Sequence, residues 1–253
     1  MKKRFFSALI LVLCLLPACS RREPVQETLP VETVLIETTA WTVPTTIPTE
    51  PTTIPTTVAT IPPTEPWVEP EDADFVKIAD YIPTISQELF YATDRNFTGQ
   101  VIYDFQDGYL RYGTVKKLMA VSRDLEELGL YIKIWDGFRP VSAQFKLWEI
   151  YPDPTYVANP TVGFSSHSRG NTVDLTLVDA NGQELTMPTG FDDFSPKANR
   201  DYSDCTQEEA DNARILELLM EKHGFSGYFG EWWHYSDTVS YPVEEMFEPS
   251  AAE

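Results

Sequence analysis

Apolar residues recur every three or four positions in three segments of the chain, which predicts three helices. They cover Val115–Leu128, Val141–Glu149 and Thr206–His223. In the last segment, Thr206 and Glu209 have the spacing of a capping box, the reciprocal hydrogen-bonding pair that starts many helices.

Three other segments have the period-two alternation of strands: Leu130–Trp135, Thr172–Val178 and Tyr228–Tyr235. In the second, Asp174 lies on the polar face and aliphatic residues occupy the other. Helices and strands mix without a regular alternation, so the predicted class is α+β, with a small mixed or antiparallel sheet flanked by helices. Residues 68–253 are long enough to bury one sizeable core, and we predict a single domain there.

The first 19 residues have the pattern of a secretory signal peptide, with basic residues at positions 2–4 and an apolar run over Ala8–Leu16. Leu16-Pro17-Ala18-Cys19 resembles a bacterial lipobox, although Pro17 departs from the residue type usual at that position. We therefore predict an exported, extracytoplasmic protein that a lipid on Cys19 tethers to the cell membrane.

Residues 20–67 are rich in threonine and proline, as in the repeats Thr46-Ile47-Pro48-Thr49 and Thr53-Ile54-Pro55-Thr56. Proline fixes φ and removes hydrogen-bond donors, so this linker is predicted to be disordered and extended. It would be a semi-rigid stalk between the tether and the domain.

The formal net charge is −20, which argues against a nucleic-acid partner because phosphate binding needs clustered lysine and arginine. The three cysteines are Cys14, Cys19 and Cys205. Only Cys205 lies in the predicted domain, so a disulfide framework within that domain is excluded.

The chain has three histidines, and two of them lie in unusual segments. His167 lies in a Ser/Gly-rich loop seven residues before Asp174, and His234 follows Glu231 in a Glu-Trp-Trp-His run. Two imidazoles and one carboxylate leave a fourth position open on zinc, as in catalytic sites. From the residues alone, a chance pairing of structural or solvated side chains is an equal alternative. His223 fits a structural role at a helix end.

The order of several motifs resembles the zinc D-Ala-D-Ala peptidases, and most closely the D-alanyl-D-alanine dipeptidases of the vancomycin-resistance type. The resemblance covers about residues 75–247. It rests on these segments: Tyr91-Ala92-Thr93, Asn96-Phe97-Thr98-Gly99, Trp135-Asp136-Gly137-Phe138-Arg139-Pro140, Ser165 to Asp174, Phe191-Asp192 and Glu231 to His234.

The resemblance implies that His167, Asp174 and His234 bind one Zn²⁺ and that Glu231 is the general base. It also implies that Arg139 stabilises the oxyanion of the transition state.

The resemblance further implies that Asp192 binds the ammonium group of the substrate. Ser165 and Tyr91 would lie near its carboxylate or in the pocket wall. The implied reaction is zinc-dependent hydrolysis of D-Ala-D-Ala to two D-alanines. Because an enzyme tethered at the surface could not easily deplete a cytoplasmic pool, we expect it to act in cell-wall peptide turnover. Two alternatives remain: a carboxypeptidase that trims longer peptidoglycan peptides, and a wall module that binds zinc without catalysis.

The spacing of Glu231 and His234 conflicts with a regular strand, because residues three apart on a strand point to opposite faces. Both side chains could not then reach one metal. We therefore predict that Glu231 lies in the loop before the strand or at a bulge.

Overall fold

The computed structural model describes residues 68–249. The predicted signal peptide, the lipidation site Cys19 and the Thr/Pro-rich linker lie outside these residues. No helix within the described residues is long and apolar enough to cross a membrane.

Two sheets and four α-helices form the described part of the chain, which confirms the α+β class. In chain order the elements are β1 Phe75–Lys77, α1 Ile78–Tyr81, β2 Ser86–Gln87, β3 Tyr109–Arg111, α2 Tyr112–Glu126, β4 Tyr131–Asp136, α3 Val141–Ile150, β5 Thr172–Val178, α4 Gln207–Lys222, β6 Phe225–Tyr228 and β7 Glu231–Asp237. The main sheet has five strands in the order β2-β4-β5-β7-β6, and β1 pairs with β3 in a second, two-stranded sheet. In the main sheet β2 and β4 run parallel and the other neighbours antiparallel, so the sheet is mixed.

Helices α2 and α4 pack against each other and against the main sheet. The predicted capping box is present: Glu209 N donates to Thr206 Oγ1 over 3.3 Å, and Thr206 N donates to Glu209 Oε2 over 2.8 Å. Helix α4 ends at Lys222, and Gly224 follows with φ +85°, a conformation that favours glycine.

All residues of β5 are buried, including the polar ones. On the neighbouring strand β4, Trp135 packs against Phe191, which comes from a loop, with ring centroids 5.7 Å apart. The polar face of β5 is therefore the floor of an enclosed region rather than a solvated surface.

One predicted strand is wrong, since Tyr228–Tyr235 is not a single extended segment. It contains the end of β6, a turn at Phe229-Gly230 and most of β7, and the two strands pair as an antiparallel hairpin. Aromatic side chains favour strands on both sides of the turn, so the periodicity conceals it.

Candidate metal centre

Local backbone geometry and sheet register bring the three predicted metal ligands together. His167 lies in a short 3₁₀ helix, Ser166–Arg169. The Ser165 hydroxyl caps the start of this helix by accepting a hydrogen bond from His167 N over 3.3 Å. Gly170, with φ +73°, then directs the chain into β5. In the β5–β7 pair, Asp174 lies directly opposite His234.

The ligand atoms are spaced as the donors of a tetrahedral zinc site. His167 Nε2 lies 3.3 Å from Asp174 Oδ2 and 3.4 Å from His234 Nδ1. His234 Nδ1 in turn lies 3.0 Å from Asp174 Oδ1. Zinc bonds of 2.0–2.1 Å at tetrahedral angles separate neighbouring donors by about 3.3 Å. Asp174 Oδ1 is buried without a hydrogen bond, despite the nearby imidazole nitrogen. A cation would satisfy these converging atoms, so the residues fit a zinc ion.

Neighbouring groups orient the His167 ring and keep Asp174 ionised. His167 Nδ1 donates to Gly137 O over 2.8 Å, which turns Nε2 toward Asp174. Burial by itself would raise the pKa of Asp174, but the His167 and His234 rings hold that pKa below its usual range. The carboxylate is therefore ionised, as a metal ligand must be.

Glu231 is the first residue of β7, and its pairing with β6 is irregular. Tyr228 pairs with Glu231 whereas the adjacent Gly227 pairs with Tyr235, so the ladder is interrupted between these two pairs. The bulge confirms one of the two predicted placements; a position in the loop before the strand is wrong. The irregularity brings Glu231 Oε2 to 3.6 Å from His234 Nδ1. Burial raises the pKa of Glu231, as expected for a base tuned by its surroundings.

Arg139 is held in place by Asp136, a buried residue that the sequence motifs did not single out for a role. Its Nε and Nη2 donate to Asp136 Oδ2 over 3.0 and 2.6 Å, and its Nη1 donates to Gln144 Oε1 over 3.1 Å. The other oxygen of Asp136 accepts hydrogen bonds from the Tyr103 hydroxyl and from Gly137 N. The sequence feature that could have indicated a role for Asp136 is a charged residue at the end of the largely apolar strand β4.

Asp192 has a strained backbone and one carboxylate oxygen without a hydrogen bond. Its φ is +56°, and its Oδ2 is buried without a hydrogen-bond partner among the described residues, although the residue as a whole is half-buried. Burial, followed by the negative charge of Asp174, raises the pKa of Asp192 well above its usual value. Such a carboxylate would be stabilised by a cationic group in the cavity.

Tyr91 is buried beside both of these residues. The Arg139 guanidinium carbon lies 4.6 Å from the centre of its ring, a cation–π contact. The ring also packs edge-on against Phe191, the neighbour of Asp192, with centroids 5.5 Å apart. Tyr91 therefore connects the arginine with the loop that carries the carboxylate.

One cavity of about 330 Å³ is lined by all the predicted site residues: Tyr91, Arg139, Ser165, His167, Asp174, Asp192, Glu231 and His234. Further lining residues that the sequence did not single out include Tyr156, Phe194 and Tyr228. The structure thus brings the predicted residues together, while the role of each one stays a prediction.

The sequence of the domain is similar to those of known proteins. Residues 71–248 match the family model described as D-ala-D-ala dipeptidase. The D-alanyl-D-alanine dipeptidase of Escherichia coli (strain K12) is 36% identical over 176 residues, which cover 68% of this chain and 90% of that protein. The enzymes of the same name from Streptomyces coelicolor and Enterococcus faecalis are 35% and 33% identical, and each match covers 64% of this chain and 91% or 90% of the relative.

The family match extends over nearly the whole described domain, from before β1 to beyond β7, and so spans the residues that line the cavity. By its sequence and its α+β fold, the chain belongs to the D-Ala-D-Ala dipeptidase family of peptidases.

Proposed function

We propose that the protein is a zinc metallopeptidase that hydrolyses D-alanyl-D-alanine to two molecules of D-alanine. The observation that carries this proposal is the single cavity in which a two-histidine, one-carboxylate donor set meets Glu231, Arg139 and the unsatisfied Asp192. His167, Asp174 and His234 would hold the zinc ion, which would supply Lewis-acid chemistry for the scissile carbonyl and for water.

Glu231 moves the proton in this reaction. Its carboxylate takes a proton from the attacking water as the water oxygen bonds to the carbonyl carbon. It then returns that proton to the departing amine nitrogen as the peptide C–N bond breaks. Because burial raises the pKa of Glu231, its carboxylate is a stronger base toward the proton of the attacking water.

Arg139 stabilises the negative charge that develops on the carbonyl oxygen. Its guanidinium is buried, permanently charged and fixed by Asp136 and Gln144, so little reorganisation is needed as the charge forms. Because these partners use only some of its five N–H groups, others remain for the substrate.

Recognition of a free dipeptide requires a group for each charged end. Asp192 offers a buried carboxylate oxygen for the ammonium group, while Ser165 and Tyr91 line the same cavity for the remainder of the substrate. The relatives with 33–36% identity carry the name of a dipeptidase, which supports the dipeptide over longer wall peptides.

Three substrates test this proposal: D-Ala-D-Ala, N-acetyl-D-Ala-D-Ala and a wall pentapeptide ending in D-Ala-D-Ala. We expect zinc-dependent release of D-alanine from the free dipeptide and a much lower kcat/KM for the acetylated one, which lacks the ammonium group. Turnover of the pentapeptide in preference to the dipeptide would support a carboxypeptidase instead. Stoichiometric zinc without turnover of any of the three would contradict an enzymatic function.

We further infer that the enzyme works outside the cytoplasm, on D-Ala-D-Ala released during cell-wall peptide turnover. The support is in the sequence: a signal-peptide pattern over residues 1–19, Cys19 in a lipobox-like context and a Thr/Pro-rich spacer over residues 20–67. Fractionation of cells expressing the full chain and its Cys19→Ala variant tests this. We expect the wild type in the membrane fraction and the variant released from it; a cytoplasmic wild type would contradict the inference.

A further inference from the structure

The bulge that positions Glu231 interrupts the hydrogen bonding between β6 and β7. The segment Trp232–His234 lies between the pairs Tyr228–Glu231 and Gly227–Tyr235, and it has no partner on β6. Buried backbone carbonyls without a partner are costly, so this side of β7 needs donors from elsewhere.

The Arg200 side chain supplies those donors. Its Nη2 donates to the carbonyls of Trp232 and His234, both over 2.9 Å, and its Nε donates over 2.9 Å to the carbonyl of Tyr228 on β6. In addition, Arg200 N donates to Phe229 O in the turn, also at 2.9 Å. One residue thus bridges both arms of the hairpin where the ladder is broken.

The guanidinium is itself held in place by Tyr235 and Glu217. Its carbon lies 4.2 Å from the centre of the Tyr235 ring, and its Nη1 donates to the Tyr235 hydroxyl over 3.0 Å. Glu217 Oε1 lies 3.5 Å from Nη1, which balances the buried charge. The Arg200 side chain is 7% exposed, so water cannot easily replace it.

Gly227 makes the room that the guanidinium occupies. A Cβ atom at this position would lie 2.2 Å from Arg200 Cζ and 2.5 Å from Nε, far inside contact distance. Gly227 does not have a positive φ, so space for Arg200, rather than backbone conformation, is the reason for glycine here.

We propose that Arg200 is a positioning residue for the proposed zinc site, on which this inference rests. It is absent from the cavity lining and touches no reacting atom. By bonding the carbonyls of Trp232 and His234 it holds the irregular backbone that presents His234 to the metal and Glu231 to the substrate. A lysine would not replace it, because one ammonium group cannot reproduce a planar fork of donors.

The test compares Arg200→Ala, Arg200→Lys and Gly227→Ala with the wild type. The glycine variant keeps the arginine but displaces its guanidinium. Hydrogen exchange of the metal-free proteins is measured by mass spectrometry over residues 225–237, zinc affinity by competition with a chelator, and kcat and KM with D-Ala-D-Ala. We expect faster exchange confined to the hairpin, and zinc affinity and kcat lower by about 10- to 100-fold with a smaller change in KM.

Two control variants distinguish positioning from general stability. Lys117→Ala removes a partner of Asp237 at the other end of β7, and Arg214→Ala removes an arginine that also lies over a tyrosine ring, at 5.4 Å, but on the surface of α4. Both should leave zinc affinity and kcat near wild type, and Arg214→Ala should also leave hairpin exchange unchanged.

The proposal would be overturned if Arg200→Ala had the same hairpin exchange and zinc affinity as the wild type. It would also be overturned if Lys117→Ala lost as much kcat as Arg200→Ala. Hydrogen exchange in the metal-free protein does not depend on any substrate. If the proposed reaction were wrong, the wild type would not turn over D-Ala-D-Ala, and the exchange results would still test the role of Arg200.

Discussion

Two buried aspartates in the β5–β7 region have opposite surroundings. The carboxylate of Asp237, at the end of β7, accepts hydrogen bonds from three donors. These are the Thr114 hydroxyl at 3.0 Å, Val239 N at 2.7 Å and the Lys117 ammonium group. Asp174 faces two imidazoles, and its Oδ1 has no hydrogen bond. Their relative exposures are similarly low, 5% and 3%.

The difference separates a structural carboxylate from a functional one. A buried charge that has all its hydrogen bonds contributes to a stable fold, whereas a buried charge with an unsatisfied oxygen is costly unless a ligand completes it. Asp136 belongs to the first kind, since it has four donors and fixes Arg139. Asp192 belongs to the second kind.

The same substitution at the two aspartates should have different consequences. Asp174→Asn should lose stoichiometric zinc and lower kcat/KM by roughly three or more orders of magnitude, because the chemistry depends on the metal. Asp237→Asn should bind zinc and turn over normally but lose about 1–3 kcal/mol of stability, since Lys117 loses its charged partner. Metal analysis, steady-state kinetics and chemical denaturation check both. Equal losses of zinc in the two variants would break the comparison.

Arg139→Lys tests the role of the guanidinium that Asp136 holds in place. We expect kcat to fall by about 10²- to 10³-fold with little loss of zinc, since a positioned donor to the oxyanion is removed while the ligands stay. An ammonium group cannot contact Asp136 and the substrate in the same geometry. Steady-state kinetics, with zinc content measured in parallel, checks this prediction. An unchanged kcat would show that Arg139 does not stabilise the transition state.

Asp192→Asn should weaken substrate binding. The lost contact to the substrate ammonium group should raise KM by a factor of roughly 10 to 150, equivalent to about 1.5–3 kcal/mol. Asp193→Asn, at the exposed neighbouring carboxylate, is the matched control and should leave KM unchanged. Similar KM values for the two variants would contradict the role of Asp192.

The same variant should stabilise the metal-free protein, with a definite pH dependence. Because the pKa of Asp192 is raised on folding, its favourable contribution is complete below the unfolded value of about 3.9 and is lost as the pH rises through the folded value. Asp192→Asn should therefore unfold at a higher temperature than the wild type at pH 7, and the difference should disappear near pH 4. A lower melting temperature at pH 7 would show that the carboxylate is satisfied in solution.

Thr206→Ala should have the smallest effect and only on stability. It removes the side-chain cap of α4, far from the cavity, and should cost about 1 kcal/mol without a change in kcat or zinc content. Denaturant unfolding measures the loss, and a substantial drop in kcat would show coupling between α4 and the site.

Some of these features could be read from the sequence, and others could not. The alternation over Thr172–Val178 predicted the face on which Asp174 lies. The conflict in spacing between Glu231 and His234 predicted either a loop position or a bulge for Glu231, and the structure has the bulge. The contribution of Arg200 was not predictable, because hydrogen bonds from a distant side chain to irregular backbone leave no periodic signal. Asp136 stood within a recognised motif, but its partners come together only in the folded chain.

The most direct test of the central claim is the release of D-alanine from D-Ala-D-Ala by the wild type and by Glu231→Gln, with zinc content measured in both. We predict one zinc per chain in each protein, with two D-alanines per dipeptide hydrolysed by the wild type and a turnover about 10²- to 10⁴-fold lower in the variant. Equal turnover in the two proteins, or zinc-loaded wild type without any turnover, would contradict the account.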